Sequence, residues 1–150
     1  MRSRFPVGVC VALALFSFSA ALAQDDAAKK DLERLQGTWI MHALEVNGID
    51  VPADKLQSAL LTVKGDRYEV KVKDRTTNVF ELRLDPAKDP KEMDMTALEG
   101  ANKDKVHKAI YKIENGLFVF CRGLNPEQER PKEFATWPDT NIFVVKWKKK

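Results

Sequence analysis

Few side chains in this 150-residue sequence have the types and spacing to do chemistry. His42 and His107 are its two histidines, and each falls in a strand-like stretch where it could line a cavity or hold a metal. No H-x-H, H-x-x-x-H or Cys/His cluster accompanies either one, so no metal and no cofactor is expected. A haem held by a single histidine is conceivable inside a barrel, but nothing in the spacing selects it. Ser58 is the only serine after Ala23 and no G-x-S-x-G surrounds it, which argues against a serine nucleophile. Cys121 and His107 sit on consecutive strand-like runs, so a thiol–imidazole pair is the one nucleophilic combination on offer. Counting outward from the turn at Asn115-Gly116 sets Cys121 opposite Ala109 or Ile110, about one diagonal from His107. A buried, inert thiol is the better expectation for Cys121.

The elements that would position these groups are short strands. Apolar and β-branched runs at Thr38–Val46, Ala59–Lys64, Tyr68–Lys73, Thr76–Leu84, Lys91–Leu98, Val106–Ile113, Leu117–Arg122 and Asn141–Lys148 alternate with turn residues. Tyr68, Val70 and Val72 share one face of their strand, with Glu69, Lys71 and Lys73 on the other. Phe80, Leu82 and Leu84 are set inward, as are Met93 and Met95 against Asp94 and Thr96. Gly65-Asp66 and Asn115-Gly116 are hairpin turns. Asp25–Leu35 reads as one short helix, and Ile49–Ser58 as a connection holding a helical turn. Eight strands at this spacing suit an antiparallel barrel or sandwich, and a barrel of that size can fill itself or hold one small ligand. Gly37 lets the chain turn tightly into the first strand, and Trp39 is placed to plug the closed end.

The first 23 residues have the layout of an export signal. Arg2 and Arg4 precede an apolar run from Phe5 to Ala23, and Ala21-Leu22-Ala23 is an A-x-A cleavage pattern. Cys10 lies inside the run without a lipobox, and the run is short for a membrane span. Cleavage leaves residues 24–150 as one domain with no stable membrane anchor. It also lowers the formal charge from +3 to +1, which leaves a nucleic-acid partner little support. With Cys121 alone remaining, no intrachain disulfide can form. An exported monomer, periplasmic or extracellular, is the expectation. Lys148-Lys149-Lys150 reads as a solvated end, with weak attraction to anionic surfaces as the alternative.

Gly37-Thr38-Trp39 after a short helix resembles the G-x-W signature of lipocalins. Joined in order by Asp89-Pro90-Lys91-Glu92-Met93-Asp94, by Ile110-Tyr111 with Phe118–Cys121, and by Arg130-Pro131-Lys132-Glu133-Phe134, it resembles a family of exported lipocalin-like domains numerous in planctomycete bacteria. The likeness runs from about Asp31 to the C-terminus. Two departures, Glu114-Asn115-Gly116 in place of a Gly-Asp turn and Ala109 in place of Gly, lie in or beside one hairpin. The resemblance implies an all-β, lipocalin-like up-and-down barrel of about eight strands with a short N-terminal helix. It makes Gly37, Trp39, Cys121, Pro131, Phe134 and Lys148 structural positions, with Lys146 or Lys148 lying across the Trp39 ring. It carries no activity with it.

Asp94, Tyr111 and Arg130 stand out because each lies in one of these motifs. Arg130 could clamp a ligand carboxylate at the barrel mouth, or pair with Asp94 or Glu133 to fix the long loop before the last strand. Met93, Met95, Phe118 and Phe120, with Phe80 and Phe143, could make an adaptable apolar lining. The same residues would equally fill a solid core. Three functions follow. The first is a non-catalytic binder of a small apolar or amphipathic ligand. The second is a protein-interaction or inhibitor module on a filled barrel. The third, an enzyme, is least favoured, because no convergent acid–base set appears.

Overall fold

Eight strands close on themselves in the computed structural model, which describes residues 16–56 and 58–150. Strands β1 (Gly37–Val46), β3 (Ala59–Lys64), β4 (Arg67–Val72), β5 (Arg75–Asp85), β6 (Glu92–Ala97), β7 (Val106–Glu114), β8 (Leu117–Gly123) and β9 (Ile142–Lys149) pair antiparallel in chain order. β9 then returns to β1, from Trp39 opposite Lys149 to Val46 opposite Phe143. A two-residue strand, β2 (Ile49–Asp50), folds back on the end of β1. The all-β up-and-down barrel read from the sequence is therefore the fold observed. Closure leaves no long sheet edge open to solvent.

Local chemistry explains the ladder. Asn115 and Gly116 both take positive φ, 52° and 73°, as a two-residue turn between right-twisted strands requires. In β6 the alternation is strict: Met93, Met95 and Ala97 are buried, while Glu92, Asp94 and Thr96 are partly exposed. Tyr68 and Val70 of β4 likewise turn inward, as do Phe80 and Leu82 of β5. β8 breaks the pattern, because every residue from Phe118 to Gly123 is buried. Its inner face is Phe118, Phe120 and Arg122. Its outer face, Val119 and Cys121, packs with Ile110 and Val144 in a second cluster, against partly buried Leu117, Phe134 and Ile142.

The cover on that outer face is the loop 124–141, which crosses the barrel wall like a strap. Arg130 holds its first part to β6 and β7. Phe134 packs on the second cluster, with Lys112 Nζ 5.0 Å from its ring centroid. Thr136 accepts a hydrogen bond from the Gly48 amide at 2.6 Å and donates one to the Glu45 carboxylate.

One end of the barrel is closed by helix α1 (Phe16–Leu35). Gly37, at φ 110°, turns the chain from the helix into β1, a conformation that side chains with a Cβ avoid. Leu35 and Trp39 pack into the core, and the Trp39 indole N–H donates to the Leu35 carbonyl at 2.8 Å. Gln36 ties the helix to the β3–β4 turn, donating to the Gly65 carbonyl and accepting from the Gly65 amide, both at 2.8 Å. Lys149, rather than Lys146 or Lys148, lies over Trp39, with Nζ 4.7 Å from the ring centroid. The reason is strand parity: Trp147 points inward, so Lys149 follows it, while exposed Lys148 sits opposite Ile40. Lys149 also donates to the carbonyls of Arg34 and Gln36 at the end of the helix.

The helix is longer than the Asp25–Leu35 segment expected, and the Ala21-Leu22-Ala23 pattern lies within it. Residues 1–15, which hold the basic start and most of the apolar run, lie outside the described residues. No helix among the described residues is long and apolar enough to cross a membrane. Helix α2 (Ala53–Leu56) supplies the helical turn expected between the first two long strands.

Candidate functional site

At the closed end the interior is solid. Asp31 of α1 is buried beneath the barrel and accepts from Tyr111 Oη at 2.9 Å and from Lys91 Nζ at 2.7 Å. Arg34 adds a contact at 3.3 Å to the other carboxylate oxygen. Burial alone would raise the Asp31 pKa. The hydrogen bonds from Lys91 and Tyr111, with the charges of Lys91 and Arg34, instead hold it below the ordinary value of 3.8. Tyr111, a candidate ligand contact in the sequence, is thus tied into the floor. Met93 and Phe118 belong to the same packed half, Phe118 meeting Trp39 at 6.1 Å between ring centroids.

The opposite half is hollow. A cavity of about 360 Å³ is lined by Leu44, Tyr68, Met95, Phe120, Phe143 and Trp147, among others. A second space of about 370 Å³ adjoins it through Asn78, Phe80, Arg122 and Leu124, and continues past His107 to the loop at Glu99–Asn102. Each volume lies within the roughly 300–1,000 Å³ usual for small-molecule sites. Of the residues proposed from sequence as an apolar lining, Met95 and Phe120 face this space with Phe80 and Phe143. Met93 and Phe118 do not.

Arg122 stands where the two spaces meet and is only 9% exposed. Its Nη1 lies 2.8 Å from His107 Nδ1 and 2.7 Å from the Gly123 carbonyl. The guanidinium plane rests between Phe80 and Phe143, at 5.4 and 4.8 Å from their centroids. Nε is buried without a partner. Among the described residues no carboxylate pairs with it. A guanidinium can only donate, so His107 Nδ1 accepts and the neutral ring carries its proton on Nε2. Burial lowers the Arg122 pKa to about 10, which leaves it charged at neutral pH.

His107 is held neutral, first by burial and then by the Arg122 charge, with its pKa lowered from 6.5 to about 4. As pH falls the unfolded chain takes up this proton first, so stability is lost between about pH 6.5 and 4. The melting temperature should fall across that window. His107→Asn, which keeps a neutral acceptor for Arg122, should flatten the fall; an unchanged profile contradicts this assignment.

Arg130 sits on the outer wall and not at the mouth. Nη1 donates to the carbonyls of Met93 and Ala109 at 3.1 and 2.6 Å, Nη2 meets Asp94 at 2.6 Å and Nε meets Glu92 at 3.3 Å. Of the two acids expected from the sequence, Asp94 and not Glu133 pairs with it, and Glu92 joins as a second carboxylate. With so many donors engaged, Arg130 acts as the strap's clasp. Arg130→Ala should destabilise the fold by roughly 2 kcal/mol, the scale of charged hydrogen bonds, and leave cavity binding unchanged. Intact stability with lost binding would reverse that reading.

The Cys121–His107 pair does not form. Cys121 pairs with Ile110 and faces outward under the strap, whereas His107 faces the interior. Burial, followed by the charges of Glu45 and Glu133, pushes the thiol pKa up to about 12, far from a reactive thiolate. Pro131 is buried in the same strap. His42 is exposed and falls at the register shift between Met41 and Ala43, so it lines nothing inside. The described residues contain no cluster of His, Cys, Asp or Glu suited to a metal.

Sequence reasoning missed Asp31, Arg122 and Lys149. Arg122 was within reach, because it shares strand parity with Phe118 and Phe120. Comparison with known protein families, with curated proteins and with solved structures finds no match.

Proposed function

We propose that the protein is an exported, non-catalytic binding protein of lipocalin-like type, taking a small apolar or amphipathic molecule into the open half of its barrel. The observation that carries this is the apolar cavity of about 360 Å³ at the end opposite the helix. A solid core would have been stabler, since each unfilled volume forfeits packing. Arg2, Arg4, the apolar run to Ala23 and the A-x-A pattern support export. Cleavage after Ala23 would leave Asp31, Leu32 and Leu35 in place to close the floor. The G-x-W stretch and the motifs through Phe134 support kinship with the exported lipocalin-like domains. A monomer fits a barrel whose long strands are all paired.

The test is titration of the mature chain with the fluorescent probe 1-aminoanthracene, followed by displacement with 1-decanol. Saturable one-to-one binding, lost in the cavity-filling variant Leu44→Trp, is the expected result. Absence of saturable binding would overturn the reading. A second reading, a protein-interaction module, is favoured by one observation: Trp137 on the strap and Ile49 on β2 are 57% and 70% exposed. Co-purification of a single partner, lost in Trp137→Ala, would support it.

A further inference from the structure

We propose that the ligand is a monoanionic amphiphile, and that Arg122 anchors its acidic head, a carboxylate or a group of the same shape and charge. The inference rests on the cavity reading above and adds the chemistry of the head group. Arg122 is a cation buried in a largely apolar space, with no described carboxylate to neutralise it. Leaving a charge so placed is costly, and proteins usually pair it. Both of its protein hydrogen bonds leave from Nη1, and Nε has none. Nε and Nη2 form the side of the guanidinium fork that donates two parallel hydrogen bonds to a carboxylate. That side is therefore the one not committed to the protein.

A second donor points the same way. Trp147 Nε1, also buried on the cavity wall, has only a poorly formed hydrogen bond, to the Tyr68 hydroxyl. One unpartnered and one weakly partnered donor on an apolar cavity call for a ligand that accepts. A cationic ligand would meet repulsion from Arg122, and a neutral alkane would give neither donor an acceptor. Because His107 is neutral, Arg122 is the one charge lining the apolar cavity, and a monoanion there balances it. The apolar part of such a molecule would lie among Met95, Phe120, Phe143 and Leu44.

The experiment compares three probes of equal chain length, decanoate, 1-decanol and decyltrimethylammonium, by displacement of 1-aminoanthracene. Wild-type protein should prefer decanoate over 1-decanol by at least tenfold and bind the cation weakest. Arg122→Met should abolish that preference while keeping 1-decanol binding. Arg122→Lys should restore only part of it, since an ammonium lacks the fork. The melting temperature of Arg122→Met checks that the variant is folded. Should that variant fail to fold, the wild-type order of the three probes still decides. Equal binding of decanoate and 1-decanol, or a preference that survives Arg122→Met, overturns the anchor and leaves the cavity reading standing. Failure of all three probes to displace the dye overturns the cavity reading itself.

Discussion

Trp39→Ala is expected to lower stability by about 4 kcal/mol, within the range for truncating a buried Trp. The ring is 2% exposed, packs against Phe118 and donates its N–H to the Leu35 carbonyl. Removing it opens a void between helix and barrel and leaves that carbonyl unpartnered, so transfer, cavity and hydrogen-bond losses act together. For a domain of this size that corresponds to a fall in melting temperature of roughly 10–20 °C. Lys149→Ala removes the cation over the same ring but leaves the ring in place, and should cost about 0.5–1 kcal/mol. Chemical denaturation of both variants measures the contrast. Equal, small losses would mean that the indole is not what seals this end.

Asp31→Ala should cost nearly as much, about 3 kcal/mol. The carboxylate binds the Tyr111 hydroxyl and the Lys91 ammonium at once, and both lie far away in sequence. Without it, Tyr111 keeps a buried hydroxyl with no acceptor, a penalty of about 1–3 kcal/mol by itself. Lys91 loses its partner, and the helix loses its polar tie to the barrel floor. The double variant Asp31→Ala/Tyr111→Phe should therefore be more stable than additivity predicts, because the orphaned hydroxyl is gone. A double-mutant cycle on denaturation midpoints reads the coupling. Strict additivity would show that the Tyr111–Asp31 bond contributes nothing.

The sequence was most readable where one face of a strand meets water. Met93 and Met95 against Asp94, and Tyr68 and Val70 against Lys71, reveal both strand and orientation because the outer neighbours are polar. β7, β8 and β9 resist that reading. Val119, Cys121 and Val144 are as buried outside the barrel as Phe120 and Val145 are within it, because the strap covers them. A long loop rich in proline does not announce which strands it will cover. The same limit hid the role of Arg130: its type suggested a clamp, but only the fold shows the clamp closed on Glu92, Asp94 and two backbone carbonyls. Lys149 escaped for want of one fact, the parity of Trp147, which settles every side chain of the last strand.

Arg122 shows the opposite case, a site residue whose position was legible and whose meaning was not. If Phe118 and Phe120 point inward, so must Arg122, two residues further along. What the sequence does not carry is that no acid will meet it there. Asp94, Glu92 and Glu99 are all plausible partners on paper. The fold places Asp94 and Glu92 on the outer wall with Arg130, and Glu99 on an exposed loop with Arg67 3.8 Å away. The unpaired cation is thus a product of topology.

The most direct test uses the three indole N–H resonances of the 15N-labelled protein during titration with decanoate. Trp147 lines the cavity with its N–H only weakly engaged by Tyr68, Trp39 is sealed at the far end on the Leu35 carbonyl, and Trp137 is exposed on the strap. The Trp147 signal should shift saturably, with Trp39 and Trp137 unmoved. A titration in which Trp147 stays fixed while decanoate binds would contradict the account.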